Sequence, residues 1–286
     1  MYSNKKCSEQ INSSEPLITA PLKLIRQLKS DLSASRELSW RLFHRNISAQ
    51  YRHSFLGFVW AFVPALATAG IWTVLKSNAV INISDPTIPY PIFVLIGTLS
   101  WKSFSEAINT PLNSFLSARS MLTKIDFPKE ALLISGLGHV IFNSLIRLII
   151  IFAVLLFTNI TFSAGILLFP LSLFFLIVLG AGIGTFLVPL GMLYHDVSRF
   201  TNYAVQLWFY LTPIVYPKPF EGFIGRVASL NPVTPLLSAG RNWLTGETQP
   251  ITCQFMLISA SAFILLLLGW LIIKLTLPHL IERVSN

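Results

Sequence analysis

The chain has 286 residues, of which 53% are hydrophobic and only 12% are charged. A soluble domain carries about 25% charged residues, so this composition excludes an ordinary soluble enzyme and a disordered chain. The net charge is +9, and the position of the cations along the chain decides whether they face nucleic acid or lipid.

The chain opens with a basic, polar leader over residues 1–36, followed by a segment over residues 37–54 that predicts an amphipathic helix in the membrane interface. Its apolar face consists of Trp40, Phe43, Ile47 and Tyr51. The neighbouring face carries Arg41, His44, Arg45, Ser48 and Arg52. This pattern fits a positive-inside anchor, and it equally fits a gate helix whose arginines, Arg41, Arg45 and Arg52, meet an anionic lipid head group.

Six apolar segments are candidates for membrane spans, because a bilayer core about 30 Å thick needs roughly 20 apolar residues as helix. The weakest are the second, which carries Lys102 and Glu106, and the fifth, which is short. The six segments are Phe55–Leu75, Ile92–Ser117, Ala131–Phe157, Phe162–Tyr194, Phe200–Val215 and Ile251–Ile273. We therefore predict an all-α polytopic membrane protein, with the six-span domain over residues 55–275 and a cytoplasmic tail over residues 276–286.

The distribution of cations predicts the orientation of these spans. With a cytoplasmic N-terminus, the inner segments hold 15 of the 21 Lys and Arg residues and the outer segments hold four. This asymmetry favours cytoplasmic placement of both termini. It also accounts for the net positive charge, so no nucleic-acid partner is needed.

Two connecting segments are more than simple loops. The short inner segment 118–130 mixes charged and apolar residues before Pro128, so it predicts either a docking helix or a solvated turn. The outer segment 216–250 is rich in Pro and Gly yet apolar between them. It is too apolar for a free loop and too broken for a span, which is typical of short re-entrant helices buried in protein.

Polar residues inside predicted spans are costly and mark functional sites by default. Lys102 and Glu106 are four residues apart and can pair. His139, Asn143 and Arg147 form a second stripe with the same spacing. Helical rise places the two stripes at similar depths, so we expect them to face each other, with Glu106 compensating both cations. They form either a polar contact between packed helices or the wall of a conduction path.

Aromatic residues in the middle of spans have two interpretations. Trp101 and Trp208, together with Tyr210, could stack on sugar rings along a path, or could simply fill the core. The chain has no Gly-Lys dipeptide and hence no P-loop for ATP. Its two cysteines, Cys7 and Cys253, are far apart and support neither a disulfide nor a metal site. We expect no catalytic site, no metal and no cofactor bound by this chain.

Several motifs, in the right order, resemble polysaccharide-export ABC transporter permeases, the Wzm-type subunits that move O-antigen and their capsule and teichoic-acid relatives. The matching segments are Gln50–Trp60, Lys124–Glu130, Tyr194–Val197, Gln206–Pro217 and Asn231-Pro232 followed by Arg241. The resemblance covers roughly residues 37–280 and leaves the leader outside it.

The resemblance implies a homodimer of six-span subunits in the bacterial inner membrane, with two copies of a separate cytoplasmic ABC ATPase that binds ATP and Mg²⁺. Residues 37–52 would be the gate helix, and the segment 216–250 would shape the outer exit. The coupling helix would lie in 118–130 and include Arg119, Met121, Leu122 and Lys124. The cargo would be a polysaccharide on undecaprenyl pyrophosphate, O-antigen above all.

Alternatives stay open at this point. A capsule or teichoic-acid exporter would use the same machinery, and a lipid or drug exporter of the same superfamily fits the motifs less well. A channel or ATP-independent flippase would need no ATPase. A membrane-embedded acyltransferase would need an acid/base residue, for which only His139 or His195 could serve.

Overall fold

The computed structural model describes residues 21–52, 63–78, 88–125, 127–158, 164–194, 196–216, 223–245 and 251–285. Predictions on residues 1–20 of the leader, 53–62 of the first span, His195, and 217–222 and 246–250 of the outer segment lie outside these residues. Every described element is helical, which confirms the predicted all-α class. The helices are α1 Pro21–Tyr51, α2 Val63–Ser77, α3 Tyr90–Ser117, α4 Arg119–Leu122, α5 Glu130–Leu156, α6 Phe169–Leu193, α7 Asp196–Leu211, α8 Phe223–Leu230, α9 Val233–Thr245 and α10 Cys253–Ser285, with a 3-10 helix at Ala164–Leu168 before α6.

Three segments in the described part of the chain are long and apolar enough to cross a membrane: Glu130–Leu156, Gly165–Leu193 and Cys253–Leu280. They correspond to the third, fourth and sixth predicted spans. The described part of the first is the 15-residue α2, and the fifth is the 16-residue α7. The six-span count therefore stays a prediction.

Helix α3, the second predicted span, is the centre of the fold. It contacts α2, α5, α6, α7 and α9, and side chains from all around it are buried, among them Val94, Leu99, Phe104 and Leu112. A helix enclosed by other helices does not need the uniformly apolar surface of a lipid-facing span. This enclosure explains why α3 can carry Glu106, whereas Lys102 lies at an exposed position of the helix. The two charges together make α3 a weak candidate for a span.

The two ends of the helix bundle are distinct. At one end α1, α4 and the start of α5 meet the last turns of α6 and α10 in a cluster that includes Leu42, Leu122, Met192 and Leu277. These elements belong to the predicted inner segments, so the structure brings those segments to a common end. The predicted outer segments meet at the opposite end, where α9 packs on the start of α6 and its Ser172 donates a hydrogen bond to the Leu236 carbonyl (2.6 Å).

Helix α1 packs on α5 through part of its predicted apolar face. Phe43 lies against Gly138 of α5, where the missing side chain leaves room for its ring, and it meets Phe142 edge to face. Ser35, Ser39 and Leu42 are also buried, whereas Trp40 is 63% exposed. The predicted apolar face is therefore only partly used for packing within the described chain. The helix also begins inside the predicted leader, and α10 continues through most of the predicted tail.

A buried arginine organises the end of the bundle where α9 packs on α6. Arg241 of α9 donates to the carbonyl oxygens of Pro213 (2.6 Å) and Ile214 (2.5 Å), just after α7 ends. Its guanidinium also lies over the ring of Phe93 on α3, at 3.9 Å from the centroid. Carbonyls beyond a helix end need donors when they are buried. Arg241 supplies them and joins α9, α3 and the end of α7.

Small residues of α6 bring this helix close to two of its neighbours. Gly180 and Gly184 face α3, and Gly182 faces α10. A β-carbon at Gly184 would collide with the carbonyl of Ile108, and one at Gly180 would lie 2.7 Å from the carbonyl of Phe104. The two helices therefore pack backbone to backbone, as small residues allow in membranes.

We predict that Gly184→Ala destabilises the protein. The added methyl group would meet backbone atoms of α3, which cannot move aside as easily as a flexible side chain. Overpacking of this kind costs about 1–3 kcal/mol, so the melting temperature in detergent should fall by several degrees. Gly70→Ala on α2 is the matched control, since the described structure has nothing within 4 Å of its β-carbon. Equal melting of both variants would contradict the close approach.

Candidate functional site

The polar stripes of α3 and α5 meet in the structure. Glu106 of α3 accepts a hydrogen bond from Asn143 Nδ2 at 2.5 Å and pairs with Arg147 through its other carboxylate oxygen. His139 Nδ1 lies 3.7 Å from Glu106 Oε1. The three partners are spaced by four residues on α5, so one face of that helix surrounds a single carboxylate.

The Glu106–Arg147 pair is shielded from solvent. The side chain of Arg147 is 5% exposed and that of Glu106 is 16% exposed. Arg147 also donates to the hydroxyl of Ser103, one turn away on α3, at 3.1 Å. Such a pair compensates its own charge, and removing one partner leaves the other buried and unpaired.

The predicted pairing of Lys102 with Glu106 is wrong. Within the described residues the carboxylate of Glu106 contacts Arg147, Asn143 and His139. All three lie on α5 and approach Glu106 directly. Lys102 sits on the same helix as Glu106 and is exposed instead.

The network reaches α1 through His139. The Nε2 atom of His139 and Oε1 of Gln50 are 2.5 Å apart, so the end of α1 is tied to α5. Gln50 belongs to the first segment of the family resemblance, and the sequence did not single it out. A continuous polar chain thus runs from α1 through α5 to α3.

A cleft of about 770 Å³ opens beside this network, bordered by α1, α2, α3, α5 and α7. Its wall is rich in amide and hydroxyl side chains, which can both donate and accept hydrogen bonds. These side chains are Gln50, Thr68, Thr98, Ser105, Asn109, Thr110, Asn113, Asn143 and Asn202. A surface of this kind suits a ligand with many hydroxyl groups.

The residues predicted to line a path occupy three kinds of position: on the wall of the cleft, behind that wall, and away from the cleft. Trp101, Lys102, Glu106, Asn143 and Arg147 border the cleft, and His139 lies one contact behind them. Trp208 packs edge to face on Phe104 with ring centroids 5.4 Å apart, and so supports the wall from behind. Tyr210 is 58% exposed on α7 and does not border the described cleft.

The predicted head-group cations lie on the exposed side of α1. Arg41 pairs with Glu37 at 2.6 Å on the surface. Arg45 contacts Asn46 at 3.4 Å, and Arg52 is exposed directly after the helix. Arg45 and Arg52 are thus the cations most open to an external anion, since neither of them has a carboxylate partner in the described chain.

The predicted coupling segment does contain a short helix, α4, at the end of the bundle where α1 lies. Leu122 is buried in the chain's own core, so it anchors the helix. Arg119 and Met121 are half-buried, whereas Lys124 and Ile125 are exposed. Only the half-buried and exposed residues are accessible to a partner subunit.

Apart from Asn143, sequence reasoning missed the amides of the cleft, and it also missed the structural role of Arg241. The amides were detectable, since Thr98, Lys102, Ser105, Asn109 and Asn113 recur at spacings of four and three along α3. Among the described residues, no group of three or more His, Cys, Asp or Glu comes together to hold a metal. The expectation that this chain binds no cofactor stays a prediction.

A family model for ABC-2 type transporters matches residues 37–244. The chain belongs to the ABC-2 type transporter family. This match starts where the predicted amphipathic segment starts and ends within α9, so it covers the cleft and the α3–α5 network.

The chain is also similar to curated O-antigen export system permease proteins named RfbA. The protein of Myxococcus xanthus is 24% identical over 247 residues, which is 84% of this chain and 92% of that relative. Two proteins of Klebsiella pneumoniae are 22% identical over 231 residues and 23% identical over 221 residues. The alignments cover 78% and 75% of this chain, and 85% and 83% of those relatives.

The comparisons confirm the family that the motifs predicted. The chain is a membrane subunit of an ABC transporter, and its family implies pairing with an ABC ATPase subunit.

We predict that Glu106→Gln lowers the stability of the protein, because Arg147 then stays buried without a counter-charge. Breaking a buried pair costs about 3–5 kcal/mol, which a melting curve in detergent detects. Glu37→Gln is the control, since its exposed pair with Arg41 is worth at most about 1 kcal/mol. Wild-type melting and export in Glu106→Gln would mean that neither packing nor transport uses this carboxylate.

Proposed function

We propose that this chain is the membrane subunit of an ATP-driven exporter that moves a polysaccharide linked to undecaprenyl pyrophosphate, with O-antigen as the glycan, from the cytoplasm across the bacterial inner membrane. The observation that carries the proposal is the amide- and hydroxyl-lined cleft in a chain whose relatives are O-antigen export permeases. A glycan presents hydroxyls along its whole length, so such a wall offers it many weak, exchangeable hydrogen bonds. Weak contacts let a polymer slide.

The proposed assembly is a homodimer with two ATPase subunits, six spans in each permease, and both termini in the cytoplasm. Helix α7 presents an apolar and aromatic stripe at spacings of three and four, exposed in the isolated chain: Phe200, Tyr203, Leu207 and Tyr210. We place the second copy beside this helix, where it would close the open side of the cleft. Helices α8 and α9 would shape the exit.

The cargo would enter at the end of the bundle that holds α1. The pyrophosphate would meet Arg45 and Arg52, with Arg41 beside them, through charge-assisted hydrogen bonds. The ATPase would press on the accessible residues of the α4 segment: Arg119, Met121, Lys124 and Ile125. Because α4 joins α3 to α5, a push there acts on both helices that carry the Glu106 network. The glycan would then pass Trp101, which borders the cleft but is 6% exposed and packs on Phe104, Trp208 and Phe209, so it would act as a part of the wall.

The proposal predicts a specific partner, which affinity purification from native membranes can find. The tagged chain should co-purify with a P-loop ATPase in equal amounts, and ATP hydrolysis should require both proteins. A dimeric, folded chain that purifies with no ATPase would contradict the proposal and favour an ATP-independent flippase or a channel. Glycan analysis of a deletion strain then separates O-antigen from capsule and teichoic acid.

We predict that Arg45→Glu combined with Arg52→Glu abolishes export, because like charge repels the pyrophosphate at the entrance. Assembly with the ATPase should be unchanged, since both side chains are exposed and neither pairs with a described carboxylate. Surface glycan on gels measures export, and co-purification measures assembly. The charge-preserving double variant Arg45→Lys with Arg52→Lys is the control, and full export by the Glu variant would remove the head-group role.

A further inference from the structure

The polar cleft contains a cation that forms no hydrogen bond or ion pair with the described residues. Lys102 borders the cleft and is exposed to it. The neighbouring carboxylate of Glu106 is directed to α5, where Arg147, Asn143 and His139 surround it.

The net charge of the described cleft wall can be counted from its lining residues. Its charged residues are Lys102, Glu106 and Arg147. Glu106 and Arg147 cancel as a pair, so one positive charge remains, and it is the exposed one. An otherwise neutral, amide-rich surface therefore carries a single fixed cation.

This cation lies deep in the helix bundle. Lys102 precedes Ser103, whose hydroxyl contacts Arg147 inside the membrane-crossing segment Glu130–Leu156. From Lys102, α3 runs about 18 Å to Tyr90 and about 22 Å to Ser117 at 1.5 Å per residue. Both distances are several times the reach of a lysine side chain, so its ammonium cannot extend to either end of the helix. A charged side chain at this depth costs free energy, so it is expected to have a function.

The neighbours of Lys102 indicate which ligand would use it. Thr98, Ser105 and Asn109 lie along the same stripe of α3, and Asn202 of α7 borders the same cleft. Thr98 donates its hydroxyl hydrogen to a carbonyl of α3, and Asn109 and Asn202 each donate one amide hydrogen to a backbone carbonyl. The Ser105 hydroxyl and the second amide hydrogens of Asn109 and Asn202, together with the Lys102 ammonium group, fit an oxyanion. One oxygen would take the charge-assisted bond, and the others would accept from the neutral donors.

We propose that Lys102 binds an anionic group of the cargo, a phosphate or a carboxylate, inside the cleft. The inference rests on the proposed export function and adds a specificity-determining residue to it. Two sources share this chemistry: the diphosphate of the carrier lipid and an acidic sugar of the glycan. Contact with the carrier diphosphate would recognise the lipid-linked end of each polymer. Contact with an acidic sugar would select which glycan is exported.

The test measures the binding of defined probes to the purified permease–ATPase complex in nanodiscs by calorimetry. Farnesyl diphosphate represents the carrier, with farnesol as its neutral counterpart. Trigalacturonate represents an acidic glycan, with maltotriose as its neutral counterpart. The variants are Lys102→Gln, which removes the charge, Lys102→Arg, which keeps it, and Arg199→Gln, which removes an exposed cation of α7 outside the cleft.

We expect Lys102→Gln to weaken binding of one charged probe by about tenfold or more, the value of one charge-assisted hydrogen bond. Lys102→Arg should restore most of the affinity, and Arg199→Gln should leave it unchanged. Loss confined to farnesyl diphosphate assigns the contact to the carrier, and loss confined to trigalacturonate assigns it to the glycan. Both results support the anion contact.

Wild-type affinity of Lys102→Gln for both charged probes, or no binding of either by the wild type, would overturn the anion contact. Neither result touches the proposed function, because ATPase co-purification and export are measured separately. Failure of those two measurements would remove the exporter, whatever the probes show. A Lys102→Gln complex that does not assemble while Lys102→Arg assembles would give Lys102 a structural role and overturn the inference as well.

Discussion

The carboxylate of Glu106 is the constraint around which the central helices are arranged. A charge placed in a helix of the membrane domain must be compensated by the protein, because hydrocarbon offers no water. Arg147, Asn143 and His139 meet that need from three successive turns of α5. Satisfying one side chain thereby sets the rotation and relative depth of two helices, and Gln50 extends the same network to α1.

That arrangement explains how a polar cleft coexists with a stable apolar bundle. The costly charges are paired on the α5 side of α3, while Gly180 and Gly184 pack the backbone of another face against α6. The remaining face of α3 is free to carry amides and hydroxyls toward the cleft. Buried polar groups need fixed partners, whereas a cleft wall needs open ones. Helix α3 meets both demands side by side, because the paired Glu106 borders the cleft next to the amides and hydroxyls of the same helix.

Local pattern and helical rise were enough to predict the helical class, the broken outer segment, and the meeting of the stripes of α3 and α5. Predictions that depend on the direction in which a side chain points were less accurate. Glu106 was expected to compensate Lys102 as well as Arg147, and only the pairing with Arg147 is found, since sequence cannot show that the α5 side chains leave Lys102 aside. Arg241 looked like an outer-loop cation, because the carbonyls it binds lie 27 and 28 residues away along the chain. The packed face of α1 was predicted only in part, since Phe43 contacts α5 as expected but the buried Ser35 and Ser39 lie outside the apolar pattern.

The most direct test of the account asks whether cargo passes the cleft. A photo-crosslinking amino acid at Thr98, on the cleft wall, should capture glycan in exporting cells, seen as an upward shift of the protein band that disappears when glycan synthesis is blocked. The same group at Ile149, which is 66% exposed on the outer face of α5, should capture none. Glycan attached at Ile149, or absent from Thr98 while export proceeds, would contradict the account and place the path elsewhere.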